Sequence, residues 1–217
     1  EIDNIFSKNK ISNLNIKEAL KIIHNPSVED DILKIKNFEH PAQKRLIIEE
    51  LVTNLIGVKI STDKIDKMIA PEIDSSSETL KEFKNKLPFS LTDAQDKVIT
   101  EILNDLKQTK PMRRLVQGDV GSGKTVVAAG TMLACAKKNL QSVLLCPTEV
   151  LAEQHFKNFL NWFAKENIKI ELLTGKTKKK EWETINKNLK SGETKILIGT
   201  HSIFQDRVSM KNLSLVV

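Results

Sequence analysis

The amino-acid sequence predicts an α/β fold, in which a parallel β-sheet carries helices on both faces, preceded by an all-helical region. Helical periodicity is the only pattern in residues 1–86, whereas short apolar runs alternate with amphipathic stretches in residues 87–217. A glycine-rich loop also stands between one such run and the next amphipathic stretch. Short apolar strands separated by helices are typical of parallel sheets covered on both faces. We therefore predict two domains, residues 1–86 and residues 87–217.

Residues 1–86 predict helices with few apolar faces. The first helix places its apolar side chains on one face at helical spacing: Ile16, Ala19, Leu20 and Ile23. Pro41 suits the first turn of a second helix, for which Gly57 is a plausible stop, and a third helix covers about residues 78–86. Because these faces are too few to build a large core, we expect this region to dock on another part of the protein.

Residues 87–217 predict the strands and crossover helices of the sheet. The apolar runs that predict strands are residues 114–116, 142–146, 169–173, 195–198 and 213–217. Amphipathic stretches at residues 125–138 and 150–165 are long enough to cross between parallel strands. Because ligands of such sheets bind at the carboxyl ends of the strands, functional residues are expected just after each run.

The composition excludes several classes of protein. No run approaches the roughly 18 consecutive apolar residues of a membrane-spanning helix, and no signal peptide is visible, so we expect a cytoplasmic protein without a membrane segment. Cys135 and Cys146 are the only cysteines and form no CxxC pair, which excludes a disulfide scaffold and a zinc module. The first residue is Glu1 rather than Met, so we expect a piece of a longer protein.

The charge of the chain is unevenly distributed. The formal net charge is +6, of which residues 1–85 carry −2 and residues 86–217 carry +8. A basic C-terminal half indicates a polyanionic partner, although lysine is also a common solubilising residue. Lys178, Lys179 and Lys180 belong to a basic run that either contacts phosphates or forms the solvated start of a helix.

The strongest motif is a phosphate-binding loop of the form G-x-x-x-x-G-K-[ST]. Its residues are Gly118, Asp119, Val120, Gly121, Ser122, Gly123, Lys124 and Thr125. The glycines let the backbone curl so that successive N–H groups face a phosphate chain, to which the next helix adds its positive end. Lys124 can reach the β- and γ-phosphates and the Thr125 hydroxyl can complete a Mg²⁺ shell, so this motif predicts a P-loop NTPase that binds ATP.

The residues around this loop resemble the RecG family of bacterial superfamily 2 helicases. Residues 87–95 are similar to the Q motif region, and residues 112–125 to the first helicase motif. Three later segments are similar to motif Ia, to motif Ib and to the segment before the DExH box: residues 147–155, Thr174–Gly175 and residues 199–205. Residues 40–46 and 49–51 are similar to the helical stretch between the wedge domain and the motor, which favours RecG over the related transcription-repair coupling factor.

The resemblance implies a RecA-like motor domain that uses ATP and Mg²⁺ to remodel branched DNA and stalled replication forks as a monomer. It implies that Gln95 contacts the adenine edge and that Phe89 stacks near the base, while Lys124 and Thr125 serve the catalytic site. It also implies phosphate contacts to a DNA strand from the loops after successive strands: Thr148, Thr174, Gly175 and Thr200. The basic run at residues 178–180 lies next to one of these loops.

The chain departs from the family in one respect. The strand predicted at residues 213–217 runs into an Asp-Glu-x-His box in the family, and this chain stops at Val217. The expected sheet is therefore incomplete, and we expect the fragment alone to be inactive in ATP hydrolysis. A non-hydrolysing module that binds nucleotide and DNA, the motor of a coupling factor, and an unrelated P-loop enzyme such as a kinase remain alternatives. The motif Ia-like segment and the segment Gly199-Thr200-His201 argue strongly against the kinase.

Overall fold

The computed structural model describes residues 13–27, 30–74, 77–204 and 208–217. The chain divides into two compact units, Glu1–Lys67 and Met68–Val217. This division precedes by about twenty residues the domain boundary expected after residue 86.

The described residues between 68 and 86 pack within the second unit, although their sequence pattern groups them with the helices before them. The backbone N–H of Ile73 donates to the carbonyl of Leu106 over 2.8 Å. The side chains of Ile73 and Phe83 are each 1% exposed and belong to the main apolar core. The division of the chain thus follows the burial of these two side chains rather than the change in periodicity.

The described part of the first unit is helical. Its helices are α1 (Ile16–His24), α2 (Ile32–Lys36) and α3 (Pro41–Asp66). Asn15 forms a capping box with Glu18 at the start of α1, which packs against α3. Among the described residues of this unit, Ala19 and Ala42 are the only buried apolar side chains, in agreement with the small core expected from the sequence.

The predicted stop at Gly57 is wrong, because α3 continues through Gly57 to Asp66. A Cβ atom at Gly57 would meet no atom within 4 Å, and the φ angle of this residue is not positive. A glycine inside a helix lowers the stability of the helix by about 1 kcal/mol relative to alanine. The hydrogen-bonded turns on both sides of Gly57 stabilise α3 by more than this loss. A glycine ends a helix where the backbone turns into the left-handed region, and here it does not.

The second unit contains five helices and four strands among its described residues. They are α4 (Ser77–Lys86), α5 (Asp93–Leu106), α6 (Lys124–Lys137), β1 (Gln141–Leu145), α7 (Glu149–Trp162), β2 (Lys169–Leu173), α8 (Lys179–Ser191), β3 (Thr194–Gly199) and β4 (Leu213–Val216). A short 3₁₀ helix, His201–Phe204, follows β3. No helix in the described parts of the chain has the length and apolar character needed to cross a membrane.

The four strands form one parallel sheet in the order β2-β3-β1-β4, which confirms the predicted α/β class. Side chains of β3 alternate between the two faces of this sheet. Ile196 and Ile198 pack in the core beneath α6 and α7, whereas Leu197 packs with Ile185 and Leu189 of α8. Helices therefore cover both faces, as the sequence predicted.

The predicted strand at residues 114–116 is wrong, because this segment has neither helical nor strand structure. Val116 packs against the core and Leu115 is exposed, while the Arg114 guanidinium pairs with carboxylates of α5. A cavity of about 380 Å³ lies between this segment and β4. A strand needs a neighbour that shares its backbone hydrogen bonds, and no described residue pairs with this segment.

Candidate functional site

The phosphate-binding loop runs directly into α6. Gly121 and Gly123 have φ angles of +83° and +79°, which place both in the left-handed region that favours glycine. Gly123 precedes the helix, and no side chain caps the N–H groups of its first turn. The N–H of Val126 donates to the carbonyl of Gly123, and the remaining N–H groups of this turn and the positive end of the helix can together bind an anion. The loop therefore has the backbone geometry that its glycine spacing indicates.

The side chain of Lys124 folds back over the loop. Its Nζ atom donates to the carbonyl oxygen atoms of Gly118 and Asp119, over 2.7 and 2.8 Å. Thr125 follows in the first turn of α6 and is half-buried, whereas Val120 lies exposed at the tip of the loop. An exposed ammonium group held by two carbonyl oxygens can exchange them for the stronger acceptors of a phosphate chain.

Gln95 connects the start of α5 to the phosphate loop. Its Oε1 atom accepts a hydrogen bond from the backbone N–H of Thr92 in a capping box, and its Nε2 atom donates to the carbonyl of Ser122 over 3.0 Å. A Cβ atom at Gly123 would lie only 2.3 Å from Nε2 of Gln95. Sequence reasoning assigned this amide to the nucleotide base and missed its contact with the loop, which no local pattern encodes.

Gln95 and the loop line one cavity of about 440 Å³. The lining residues are Thr92, Ala94, Gln95, Val98, Val116, Gln117, Gly118, Asp119, Ser122, Lys124 and Val127. Phe89 is not one of them, because its ring packs edge-on against Trp162 of α7, with ring centroids 6.0 Å apart. The structure thus brings Gln95 to the phosphate loop and leaves Phe89 on α7, half-exposed.

The loops after β1, β2 and β3 meet at the carboxyl edge of the sheet. Leu145 and Leu173 end their strands on either side of Gly199, and the predicted threonines follow these residues. A Cβ atom at Gly199 would lie 2.0 Å from the carbonyl oxygen of Leu173, so only glycine permits this approach. This requirement was missed in the sequence, where Gly199 appears only as a residue before Thr200.

Each predicted threonine hydroxyl has a local hydrogen-bond partner. Thr148 caps α7, where its Oγ1 atom accepts from the N–H of Leu151 over 3.3 Å. Thr174 accepts from the N–H of Lys176, and Thr200 is buried with its hydroxyl 3.4 Å from that of Ser202. These bonds hold the loops in shape, and phosphate contacts from Thr148, Thr174, Gly175 and Thr200 stay predictions. Gln205, at the end of the last resembling segment, lies outside the described residues.

The basic run at the start of α8 is exposed. Lys178 is the residue before the helix, and Lys179 and Lys180 open its first turn. Cations at the N-terminal end of a helix oppose its dipole, so these lysines do not serve the stability of α8. Their position next to the loop after β2 is compatible with phosphate binding, which stays a prediction.

Lys176 differs from these lysines because it pairs with Glu149, at 2.9 Å from Nζ to Oε2. The hydrogen bond from Lys176 is the main reason why the pKa of the Glu149 carboxyl is lowered, since it outweighs the opposing effect of burial. Glu149 therefore remains ionised at neutral pH, and Lys176 is engaged within the protein.

Comparisons with known proteins are consistent with this geometry. Residues 92–217 match the family model of the DEAD/DEAH box helicases. The chain is 39% identical over 93% of its length to the ATP-dependent DNA helicase RecG of Pasteurella multocida, and 40% identical over 94% to that of Escherichia coli strain K12. In both comparisons it spans 29% of the length of the relative. A solved structure of RecG bound to a three-way DNA junction matches 94% of this chain and 32% of that chain, with a TM-score of 0.72 and 31% identity.

Proposed function

Because this chain belongs to the DEAD/DEAH box helicase family, we propose that it forms the nucleotide-binding part of the motor in a RecG-type, ATP-dependent DNA helicase. The phosphate loop is the observation that carries the proposal. Two left-handed glycines, a helix start without a side-chain cap and an exposed Lys124 form one anion-binding surface. The similarity to RecG over most of the chain supports DNA as the substrate of the whole protein.

The proposed roles follow from the positions of the side chains. Lys124 would exchange the carbonyls of Gly118 and Asp119 for the β- and γ-phosphates of ATP. The Thr125 hydroxyl, next along α6, would be a ligand of Mg²⁺, an ion that neutralises charge on the phosphates when it is bound. Gln95 would face the adenine edge from the same cavity. The expected place of Phe89 near the base stays a prediction, because its ring packs on Trp162 and does not line this cavity.

The DNA part of the proposal concerns the carboxyl edge of the sheet. The loops that contain Thr148, Thr174 and Thr200 lie side by side there, with the lysines of α8 next to them. Backbone N–H groups, hydroxyls and ammonium groups are the usual partners of DNA phosphates. We propose that this edge binds one strand of branched DNA, such as a stalled replication fork. We also propose that the whole protein acts as a cytoplasmic monomer.

Nucleotide binding by variants of Lys124 tests the proposal. Replacing Lys124 by alanine removes the proposed phosphate contact and should weaken ATP binding at least about tenfold, the equivalent of one charge-assisted hydrogen bond. Lys138 is a matched control, because it is an exposed lysine beyond the other end of α6. Titration with a fluorescent ATP analogue measures both. Equal affinity of Lys124→Ala and wild type would show that the loop does not bind phosphates through this lysine.

A second candidate function is nucleotide and DNA binding without hydrolysis. Asp119 is the only carboxylate among the described residues that line the loop cavity. Positioning Mg²⁺ and activating water in such motors takes carboxylates in addition to the loop threonine. For the 217-residue chain we therefore expect ATP binding without DNA-stimulated phosphate release. Release that rises on addition of forked DNA would instead favour a hydrolase within these residues.

A further inference from the structure

We propose that Glu149 is a positioning residue, which fixes the loop after β2 against the start of α7. The inference deepens the proposed DNA-binding function and rests on it. Glu149 directly follows Thr148, and the loop after β2 contains Thr174 and Gly175. Glu149 would thereby hold two groups of proposed DNA contacts at a constant separation.

The carboxylate of Glu149 lies against two residues of that loop. Its Oε2 atom lies 2.9 Å from the ammonium nitrogen of Lys176, and its Oε1 atom lies close to the backbone of Gly175. Contacts between a carboxylate and an ammonium group are stronger than those between neutral groups. The side chain of Glu149 is 28% exposed and that of Lys176 is 77% exposed, so water screens this ion pair mainly from the lysine side.

Gly175 supplies an independent observation for the same contact. A Cβ atom at this position would lie 3.1 Å from Oε1 of Glu149, and no other atom would be within 4 Å of it outside its chain neighbours. The φ angle of Gly175 is not in the left-handed region, so the backbone itself accepts alanine. The close approach of the Glu149 carboxylate is therefore what favours glycine here.

Local hydrogen bonds keep each side of this contact rigid. Thr148 caps α7 through the N–H of Leu151, which fixes the first turn that carries Glu149. In the loop after β2, the N–H of Thr174 donates to Oγ1 of Thr177 over 3.0 Å. Two rigid segments joined by one carboxylate move together, whereas without it each can adjust separately to a DNA strand. Preorganised contacts bind more tightly than contacts that must first be ordered.

The experiment measures binding of a fluorescent forked DNA at several salt concentrations. Glu149→Ala should bind about five- to tenfold more weakly than wild type, within the range of coupling between neighbouring residues. Its salt dependence should keep the same slope, because Glu149 itself contacts no phosphate. Glu149→Gln should recover part of the affinity, since its amide oxygen can still accept a hydrogen bond from the Lys176 ammonium group.

Gly175→Ala provides a second arm. Its methyl group would lie 3.1 Å from Oε1 of Glu149, so the carboxylate must shift away from the loop, which should weaken binding in the wild-type background. In the Glu149→Ala background the same change should have no further effect, which a double-mutant cycle detects. Glu153→Ala is the matched control for charge, because it removes an equal charge one turn further along α7, from an exposed position that acts on Lys176 through its charge at a distance.

The outcomes separate the two proposals. A wild-type chain that does not bind forked DNA would overturn the proposed function itself. Wild-type binding together with unchanged affinity of Glu149→Ala would overturn the positioning role. Tighter binding and a steeper salt slope for Glu149→Ala would also overturn it, because Glu149 would then compete with phosphate for Lys176. Thermal unfolding of each variant shows whether a loss of affinity comes from a loss of fold.

Discussion

Replacing Gly123 by alanine should weaken nucleotide binding more than the same replacement at Gly121. Both glycines have left-handed backbone conformations, with φ angles of +79° and +83°. Their surroundings differ, because a Cβ atom at Gly123 would lie 2.3 Å from Nε2 of Gln95, whereas one at Gly121 would meet no atom within 4 Å. A comparison of the two variants therefore separates the free-energy cost of a left-handed alanine from the cost of displacing Gln95.

The expected magnitudes follow from these surroundings. A left-handed alanine costs about 1–2 kcal/mol at either position. At Gly123 the Gln95 amide must also move, which gives up its hydrogen bond to Ser122, worth about 0.5–1.5 kcal/mol, and disturbs the capping box with Thr92. The free energy of nucleotide binding should thus be weakened by about 1–2 kcal/mol more in Gly123→Ala than in Gly121→Ala. The difference corresponds to roughly five- to thirtyfold in affinity, because the phosphates bind this loop conformation.

Calorimetric titration with ADP measures the effect in wild type and both variants. In a Gln95→Ala background, where the crowded amide is absent, the loss caused by Gly123→Ala should fall to that of Gly121→Ala. Equal losses for Gly121→Ala and Gly123→Ala with Gln95 present would refute the reasoning, because the contact between Gln95 and the loop would then carry no energy. Urea unfolding of each variant checks that the fold is intact.

Three further predictions concern stability and DNA binding. Glu166, whose side chain is 4% exposed, pairs with Lys86 and Lys137. Burial alone would raise its pKa, but the hydrogen bonds and the positive charges of both lysines together outweigh burial, so the pKa is lowered. Glu166→Gln should therefore destabilise the fold at pH 7 by about 1–3 kcal/mol, less than for a fully buried pair because the lysines are partly exposed. The difference in the free energy of urea unfolding between wild type and Glu166→Gln should shrink as the pH falls through the lowered pKa of Glu166. A difference independent of pH would show that the ionised carboxylate does not stabilise the fold. Lys178/Lys179/Lys180→Ala should flatten the salt dependence of forked-DNA binding by close to one unit of slope for each DNA phosphate that these lysines neutralise, and an unchanged slope would identify them as a solvated surface. Gly57→Ala should stabilise the protein by about 0.5–1 kcal/mol in thermal unfolding, since Gly57 lies in an uncrowded helix interior, and a loss of stability would show that α3 needs glycine there.

The sequence by itself determined the features that depend on neighbouring residues. Helical periodicity located α1 and the start of α3, and the apolar runs located all four strands that the described part of the chain contains. The spacing of glycines before Lys124 located the phosphate loop, because a single residue with a left-handed backbone conformation favours glycine at that position. Each of these features has its cause within a few positions of the chain, so the local pattern sufficed.

Only the tertiary structure decided the features that depend on partners distant in the chain. Residues 114–116 form an apolar run like a strand but are not one, since no described residue shares their backbone hydrogen bonds. The amide of Gln95 reaches Ser122, and the carboxylate of Glu149 reaches Gly175 and Lys176, across gaps of more than twenty residues. Such contacts leave no periodic trace because they depend on how the strands and helices pack, which brings the side chains together only after folding.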